Sequence, residues 1–244
     1  MLPAPLRIAL QLLTRFPVRG VASDWEAAAA KSMCWYPAVG LIIGFLLWVV
    51  AQLTVTFPAS LQAVLVLITW VAITGGLHLD GLADSADGWI GGHGKRSRTL
   101  AIMRDSHVGV IAVVVLVLVL LLKFTALQAL LSGDDYFVLI WAPIVARSAA
   151  LLLFRYTDYV REQGIANALL EQLPMQPIAP LVGLITGLLV VTMGGTGLWI
   201  LFAVMLLLLG LRQWMIKHLG GCTGDTTGAL IELTEVTVLV VALI

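Results

Sequence analysis

The stretch His107–Leu131, HVGVIAVVVLVLVLLLKFTALQALL, decides the fold of this chain. A membrane-spanning helix needs about 20 predominantly apolar residues, and this segment supplies them. The rest of the chain has the same character, with 60% hydrophobic residues, 11% charged residues and a mean hydropathy of +1.02. Soluble domains contain roughly 45–50% apolar residues. The sequence therefore predicts a polytopic integral membrane protein.

Six further segments are candidate spans. They cover residues 36–55, 61–73, 136–153, 178–193, 197–214 and 227–244. The segment 61–73 is short for a span unless its helix continues through Gly75 and Gly76 into the polar sequence that follows. We therefore expect an all-α transmembrane bundle of about seven spans, and one membrane catalytic domain over residues 1–244.

The basic residues predict how this bundle is oriented. If the N-terminus is cytoplasmic, all the Lys and Arg residues of the loops and helix ends fall on the inside. They are Arg7, Arg15, Arg19, Lys31, Lys95, Arg96, Arg98, Arg104, Arg155, Arg161, Arg212 and Lys217. A Lys/Arg bias of this kind sets orientation, so we expect a cytoplasmic N-terminus. The 14 basic and 14 acidic residues balance, which gives no indication of a nucleic-acid partner.

Residues 75–94, GGLHLDGLADSADGWIGGHG, carry an acidic cluster that hydropathy does not explain. Asp80, Asp84 and Asp87 occur at i, i+4 and i+7, a spacing that stacks them on one helix face, where like charges repel. A hard cation removes this conflict, and Mg²⁺ combines one or two carboxylates with waters and substrate phosphates. The pattern favours a magnesium and phosphate site. The alternative is a solvated loop with Asx turns.

His78 lies about 160° around a regular helix from Asp80, away from that acidic face. It is either a polar residue that satisfies a neighbour or a general base. Arg104, in the string Met103-Arg104-Asp105-Ser106-His107, belongs to a basic group that either holds phosphate or fixes topology.

A second polar segment, GGCTGDTTG at residues 220–228, opens the last candidate span. Amides at a helix N-terminus favour phosphate, which makes Thr223 and Gly224 candidates for substrate binding. Asp225 and Glu232 share one helix face, and Glu232 lies inside the apolar run, where a carboxylate is expensive. Both are candidate metal ligands. For Asp225 alone, an N-cap role is an equal alternative.

Two candidates come from the predicted span at residues 136–153 and from the segment that follows it. Arg147 lies nearly two turns inside the hydrophobic run, so we expect it to pair with an acid or with a substrate phosphate. Asn167 follows in the segment at the cytoplasmic end of the same span, with Arg155, Arg161 and Glu162.

Five strings resemble the cobalamin synthase family, whose members are also called adenosylcobinamide-GDP ribazoletransferases. In order along the chain they are YPAVGLIIG (36–44), GGLHLDGLADSADG (75–88), IMRDSHVG (102–109), REQGIANAL (161–169) and GGCTGDTTGALIELTE (220–235). The HLDGLAD and TGDTTGA blocks are the most specific of these.

This resemblance implies a magnesium-dependent transferase that joins alpha-ribazole, or its 5′-phosphate, to adenosylcobinamide-GDP and releases GMP. The 3′-hydroxyl of the ribose would attack the phosphorus attached to cobinamide. It also implies a multi-pass protein of the bacterial inner membrane with its active site facing the cytoplasm. A homo-oligomer, or a complex with other enzymes of nucleotide-loop assembly, is a further expectation.

The site residues follow from combining this resemblance with the polar clusters. Magnesium ligands are expected at Asp80, Asp84, Asp87, Asp225 and Glu232. Catalytic roles are expected for His78, Asp84 and Asp225, and substrate contacts for Arg104, Arg147, Asn167, Thr223 and Gly224.

Two other functions have to be weighed. A CDP-alcohol phosphotransferase begins its motif with Asp-Gly-x-x-Ala-Arg, whereas Asp80-Gly81-Leu82-Ala83-Asp84 has an acid in place of the arginine and a shorter spacing. A cation transporter usually places its acids near the membrane midplane within broken helices. The aspartates here gather at the predicted cytoplasmic mouth, which favours the transferase.

Overall fold

The computed structural model describes residues 2–18, 25–133, 135–160 and 177–244. These ranges contain ten α-helices. They are α1 (Ala4–Leu13), α2 (Trp25–Ser32), α3 (Tyr36–Leu53), α4 (Ala59–Thr74), α5 (Leu77–Gly91), α6 (Arg96–Ile102), α7 (Val110–Ser132), α8 (Val138–Tyr156), α9 (Ile178–Leu219) and α10 (Gly224–Val241). A 3-10 turn, Met33–Trp35, joins α2 to α3.

The expected all-α architecture is confirmed, since no strand occurs in the described ranges. A single isolated bridge links Tyr159 and Cys222. The Val160 N–H donates to the Cys222 carbonyl over 3.0 Å, and the Cys222 N–H donates to the Asp158 carbonyl over 2.8 Å. This pairing ties the chain that leaves α8 to the loop that enters α10.

Several helices are suited to a membrane. By length and composition, four helical segments of the described chain can cross a bilayer, namely Met33–Leu53, Val110–Ser132, Val138–Tyr156 and Ile178–Leu219. The bent pair of α4 and α5 makes a fifth if it is counted as one span. The chain is therefore a multi-pass membrane protein. The total of seven spans and the cytoplasmic N-terminus stay predictions.

The junction of α4 and α5 differs from the simple continuation that a single span would need. Gly75 and Gly76 take left-handed φ values of 63° and 69°, which glycine adopts without steric cost. The two helices are consequently bent by 85°. The Arg15 N–H donates to the Ile73 carbonyl over 2.8 Å, so the chain after α1 covers the end of α4.

The long helix α9 contains both of the predicted segments 178–193 and 197–214. Gly194 interrupts it with φ 57° and ψ −131°. A Cβ on Gly197 would lie 2.9 Å from the Leu189 carbonyl oxygen, whereas residues eight apart on a straight helix are separated by about 12 Å. The chain therefore folds back at Gly194, and α9 consists of two arms that pack together.

Glycines allow the closest helix crossings of the bundle. A Cβ on Gly40 would lie 2.5 Å from the Pro143 carbonyl oxygen, and one on Gly44 would lie 2.6 Å from the Ile140 Cα, so α3 packs directly on the α8 backbone. The α5 and α10 crossing is similar. A Cβ on Gly81 would lie 2.7 Å from the Asp225 carbonyl oxygen.

This crossing predicts a specific stability difference. Gly81→Ala must separate α5 from α10, because the new methyl group meets backbone atoms that cannot move independently. Overpacking of this kind costs roughly 1–3 kcal/mol, which corresponds to a fall of roughly 2–12 °C in the melting temperature. Thermal unfolding in detergent measures it. Gly183→Ala, on α9, is the matched control because its Cβ meets no atom within 4 Å. Equal melting temperatures for the two variants would contradict the close packing.

The predicted orientation is tested by cysteine accessibility. In a background with Cys34 and Cys222 replaced by Ala, Ser97→Cys in α6 should react with a membrane-impermeant maleimide only from the cytoplasmic side. Ser132→Cys, at the other end of α7, should react only from outside. Labelling in intact cells and in inverted vesicles measures both. Reaction of Ser97→Cys in intact cells would reverse the orientation.

Candidate functional site

Helix ends and charged side chains gather at one end of the bundle. Arg96 Nε donates to the Leu219 carbonyl at the end of α9 over 2.7 Å. Arg212 donates through an NH2 group to the Tyr156 carbonyl at the end of α8 over 2.7 Å. Basic side chains are favourable at helix C-termini, where carbonyl groups lack partners. Three of the basic segments that the sequence assigns to one side of the membrane, those around Arg96, Arg155 and Arg212, thus meet in the structure.

The three aspartates of residues 80–87 lie on the regular helix α5, so the alternative of a solvated loop is wrong. Asp80 is exposed, whereas Asp84 and Asp87 are half-buried. The helical spacing stacks them along one face of α5.

Asp87 has a defined partner in the structure. Its Oδ2 accepts from the Gly109 N–H over 2.6 Å, and its Oδ1 accepts from the Ala112 N–H over 2.9 Å. Gly109 is the N-cap of α7 and Ala112 lies in its first turn, where N–H groups lack helical partners and a negative charge is favourable. Asp87 therefore fastens α7 to α5, a role that the sequence did not indicate.

The start of α10 is capped by Thr223. Its hydroxyl accepts from the Thr226 N–H over 3.2 Å, and the Thr226 hydroxyl accepts from the Thr223 N–H over 2.8 Å, which completes a capping box. The alternative N-cap role for Asp225 is therefore wrong. Asp225 lies in the first turn and is half-buried, and Gly224 beside it is exposed. Thr223 is fully buried, with its hydroxyl engaged by the cap.

The two acidic segments of the sequence meet where α5 crosses α10. The Asp225 backbone lies against Gly81, between Asp80 and Asp84 along α5. One turn further along α10, a Cβ on Gly228 would lie 3.3 Å from the His78 Cα. The absence of side chains at these two glycines allows the close approach.

The donor set suits a magnesium ion that is shared with a substrate. In the part of the chain that the structure describes, no three His, Cys, Asp or Glu side chains are arranged to hold a metal ion. A cage made only of protein ligands is thus not preformed there. Mg²⁺ keeps several waters and uses one or two carboxylates together with phosphate oxygens, and the exposed edge of α5 offers such carboxylates.

Glu232 has a different partner from the metal expected for it. Lys123 Nζ lies 3.0 Å from Glu232 Oε2 and 2.5 Å from Glu235 Oε2. Arg147 forms an ion pair with the other oxygen of Glu235. All four side chains are at most 3% exposed. We call Lys123, Arg147, Glu232 and Glu235 the buried ion cluster. Its two cations balance its two carboxylates.

Trp70 of α4 completes the surroundings of this cluster. Its indole Nε1 donates to Glu235 Oε1 over 3.2 Å, and the Lys123 ammonium lies 3.9 Å from the centre of the Trp70 ring. A cation over an aromatic face is attracted by the ring quadrupole. Of the two partners expected for Arg147, an acid or a substrate phosphate, the structure shows an acid, Glu235.

Sequence reasoning did not identify Lys123, Glu235 or Trp70. For the two charged residues a signal was present, since each interrupts an apolar run and an ionisable residue in a span usually pairs with another. The sequence does not say which charge pairs with which. Trp70 offers no such signal.

His78 is only 3% exposed and lies on the opposite side of α5 from the exposed Asp80, as the helical angle predicts. Neither ring nitrogen has a hydrogen-bond partner among the described residues. The ring lies within electrostatic range of Arg147, Glu235 and Lys123. The His78 side chain therefore faces the interior of the bundle and not the acidic face of α5.

The remaining candidates lie nearer the surface. Arg104 is exposed in the loop between α6 and α7. In the same loop, Asp105 Oδ1 lies 2.6 Å from His107 Nδ1. This hydrogen bond lowers the pKa of the Asp105 carboxyl and raises the pKa of His107. Asn167 lies outside the described residues.

Comparison with known sequences identifies close relatives. The profile of the family described as cobalamin-5-phosphate synthase matches residues 5–243. An adenosylcobinamide-GDP ribazoletransferase of Pseudomonas fluorescens strain Pf-5 is 48% identical over 235 residues, which are 96% of this chain and 97% of that protein. The protein of the same name from Pseudomonas entomophila is 49% identical over 237 residues, 97% of each chain. That from Pseudomonas aeruginosa strain PAO1 is 48% identical over 235 residues, 96% of each. No solved structure matches the chain.

The contacts of Asp87 predict a local effect on α7. Asp87→Ala removes both acceptors of the Gly109 and Ala112 N–H groups, and loss of a helix cap costs about 0.5–2 kcal/mol. Hydrogen exchange read by mass spectrometry should show faster exchange in the peptide that begins α7. Asp135→Ala, in the connection between α7 and α8, is the matched control. Unchanged exchange at residues 109–113 in Asp87→Ala would contradict the capping role.

Proposed function

The chain belongs to the cobalamin-5-phosphate synthase family, and we propose that it joins alpha-ribazole, or its 5′-phosphate, to adenosylcobinamide-GDP with release of GMP. It is a transferase of cobalamin biosynthesis and a multi-pass membrane protein. The observation that supports the proposed site is the crossing of α5 and α10, which sets the Asp225 backbone against Gly81 between Asp80 and Asp84.

The reaction is a displacement at phosphorus. The 3′-hydroxyl oxygen of the ribose forms a bond to the phosphorus attached to cobinamide, and the bond from that phosphorus to the bridging oxygen breaks. GMP leaves with the electron pair of that bond. A general base has to remove the hydroxyl proton. We assign this role to the carboxylate of Asp225, which lies in the first turn of α10 and is half-buried.

Asp80 and Asp84 are the proposed magnesium ligands, because they are one turn apart on a single face of α5. When bound, magnesium neutralises the diphosphate and stabilises the leaving phosphate. The donor set fits an ion shared with substrate phosphates, as described above. Asp87 lies on the same face but holds the start of α7, so we assign it to positioning.

Substrate phosphates have two candidate contacts in the described chain. Gly224 is exposed at the N-terminus of α10, where backbone N–H groups favour an anion. Arg104 is exposed in the loop that Asp87 holds near α5. Arg147 and Thr223 are fully buried and engaged with Glu235 and with the α10 cap, so we do not assign them to substrate. Glu232 is likewise left out of the metal site because Lys123 neutralises it.

We further propose that the protein lies in the bacterial inner membrane with this site on the cytoplasmic side. The basic residues at the same end of the bundle support this orientation, because positive segments resist translocation. We also propose, from the resemblance alone, that the protein forms a homo-oligomer or a complex with other enzymes of nucleotide-loop assembly.

The function is tested by turnover of the purified protein. Adenosylcobinamide-GDP, alpha-ribazole and Mg²⁺ should give adenosylcobalamin and GMP, read by mass spectrometry. Asp80→Ala and Asp84→Ala should each lower kcat/KM on the order of a hundredfold or more, because a bound metal supplies several kcal/mol of charge stabilisation. Chelation with EDTA should have the same effect on the unchanged protein and should be reversed by added Mg²⁺.

Asp135→Ala is the matched acid at the other end of α7 and should keep wild-type turnover. Each variant is first checked for folding by gel filtration. Wild-type turnover by folded Asp80→Ala and Asp84→Ala would sink the metal assignment. Cation flux into proteoliposomes, with no GMP formed under any condition, would show that the protein is a cation transporter and not a transferase.

A further inference from the structure

Glu235 joins α10 to three other helices at one carboxylate. It accepts from Lys123 of α7, from Arg147 of α8 and from Trp70 of α4. Its side chain is 0% exposed. Glu232, one turn earlier on α10, accepts from Lys123 as well over 3.0 Å. Glu232 and Glu235, two acids within the apolar part of α10, thus connect this helix to its neighbours.

The charges of the buried ion cluster depend on one another. Lys123 and Arg147 balance Glu232 and Glu235, and all are buried. Removing one partner of a buried pair is strongly destabilising, because it leaves a charge without compensation in a medium of low dielectric. Removing one cation together with one acid keeps the charges balanced.

The ion pairs of the buried ion cluster prevent α10 from sliding along the neighbouring helices. Apolar side chains pack about equally well on lipid and on apolar helices, so they resist sliding only through shape. An ion pair has one favourable geometry, and buried polar residues are known to fix helix register. A slip of one turn would move α10 by about 5.4 Å.

The active end of α10 would move by the same distance. Asp225 precedes Glu235 by ten residues, about 15 Å along one uninterrupted helix. The Asp225 backbone lies against Gly81 only in the observed register. A one-turn slip would remove Asp225 from its place between Asp80 and Asp84.

We propose that Glu235 is a positioning residue for the phosphoryl-transfer site: its pair with Arg147 fixes the register of α10 and holds Asp225 against α5, and Lys123 keeps the buried ion cluster balanced by neutralising Glu232. This inference rests on the proposed function for its effect on turnover. The predicted effect on the register of α10 does not depend on the proposed function.

The test compares an unbalanced variant with a balanced one. Lys123→Met leaves Glu232 without its cation, whereas Lys123→Met with Glu232→Gln leaves Arg147 and Glu235 as a neutral pair. The single variant should lose about a hundredfold in kcat, since small displacements of catalytic groups have effects of that size. The kcat of the double variant should be at least tenfold higher than that of Lys123→Met. KM for adenosylcobinamide-GDP should change less than kcat in both variants. Thr125→Val, an exposed position on α7 outside the cluster, is the matched control.

The register is read independently of activity. Spin labels at Ser97→Cys in α6 and at Leu243→Cys beyond the end of α10, in a background without Cys34 and Cys222, report the distance along the bundle by pulsed electron paramagnetic resonance. In Lys123→Met this distance should shift by about 5 Å or become broadly distributed. The wild-type distance should return in the double variant and persist in Thr125→Val.

A folded Lys123→Met with wild-type kcat and wild-type distance would overturn the proposal. If Lys123→Met does not fold, the double variant decides the question. A wild-type distance with kcat within about tenfold of wild type supports the proposal, and any other combination overturns it. A wild-type protein that makes no product at all would sink the proposed function and leave the register measurement valid.

Discussion

The rest of this structure depends on the hydrogen bonds that the buried carboxylate of Glu235 accepts from donors on three other helices. No water is available in the hydrocarbon core to solvate a charge, so each charge there needs a partner with good geometry. Two acids on α10, a lysine on α7 and an arginine on α8 satisfy one another, with Trp70 of α4 as a further donor. The helices that carry these groups are thereby fixed relative to each other.

Around this cluster, close packing depends on glycine. Gly40 and Gly44 let α3 lie on the α8 backbone, and Gly81 and Gly228 do the same for α5 and α10. Backbones can approach this closely only where side chains are absent, and in lipid such packing replaces the hydrophobic driving force of soluble proteins. Gly81, Gly228 and the buried ion cluster thus all act on the same helix, α10, at two levels of the bundle.

The polar residues divide into two groups by their position. Asp80, Asp84, Asp225 and Gly224 lie where α5 and α10 meet at the charged end, and all are at least partly accessible. Arg147, Glu232 and Thr223 also interrupt the apolar sequence, yet the structure gives them buried partners within the protein. Asp87 stands between the groups, because it shares the acidic face of α5 but holds the start of α7.

The sequence by itself determined that the chain is an all-α membrane protein, which of its segments are apolar helices, and that two acidic segments and Arg147 need partners. These features follow from local composition and helical spacing, since a charge within an apolar run is expensive wherever the helix lies. Only the tertiary structure decided the partners of the buried charges, which are Glu232 with Lys123 and Arg147 with Glu235. The 85° bend at Gly75 and Gly76 and the reversal at Gly194 belong to the same category. Pairing depends on which helices are neighbours and in what register, and residues 109 or 88 positions apart meet only when the bundle has folded.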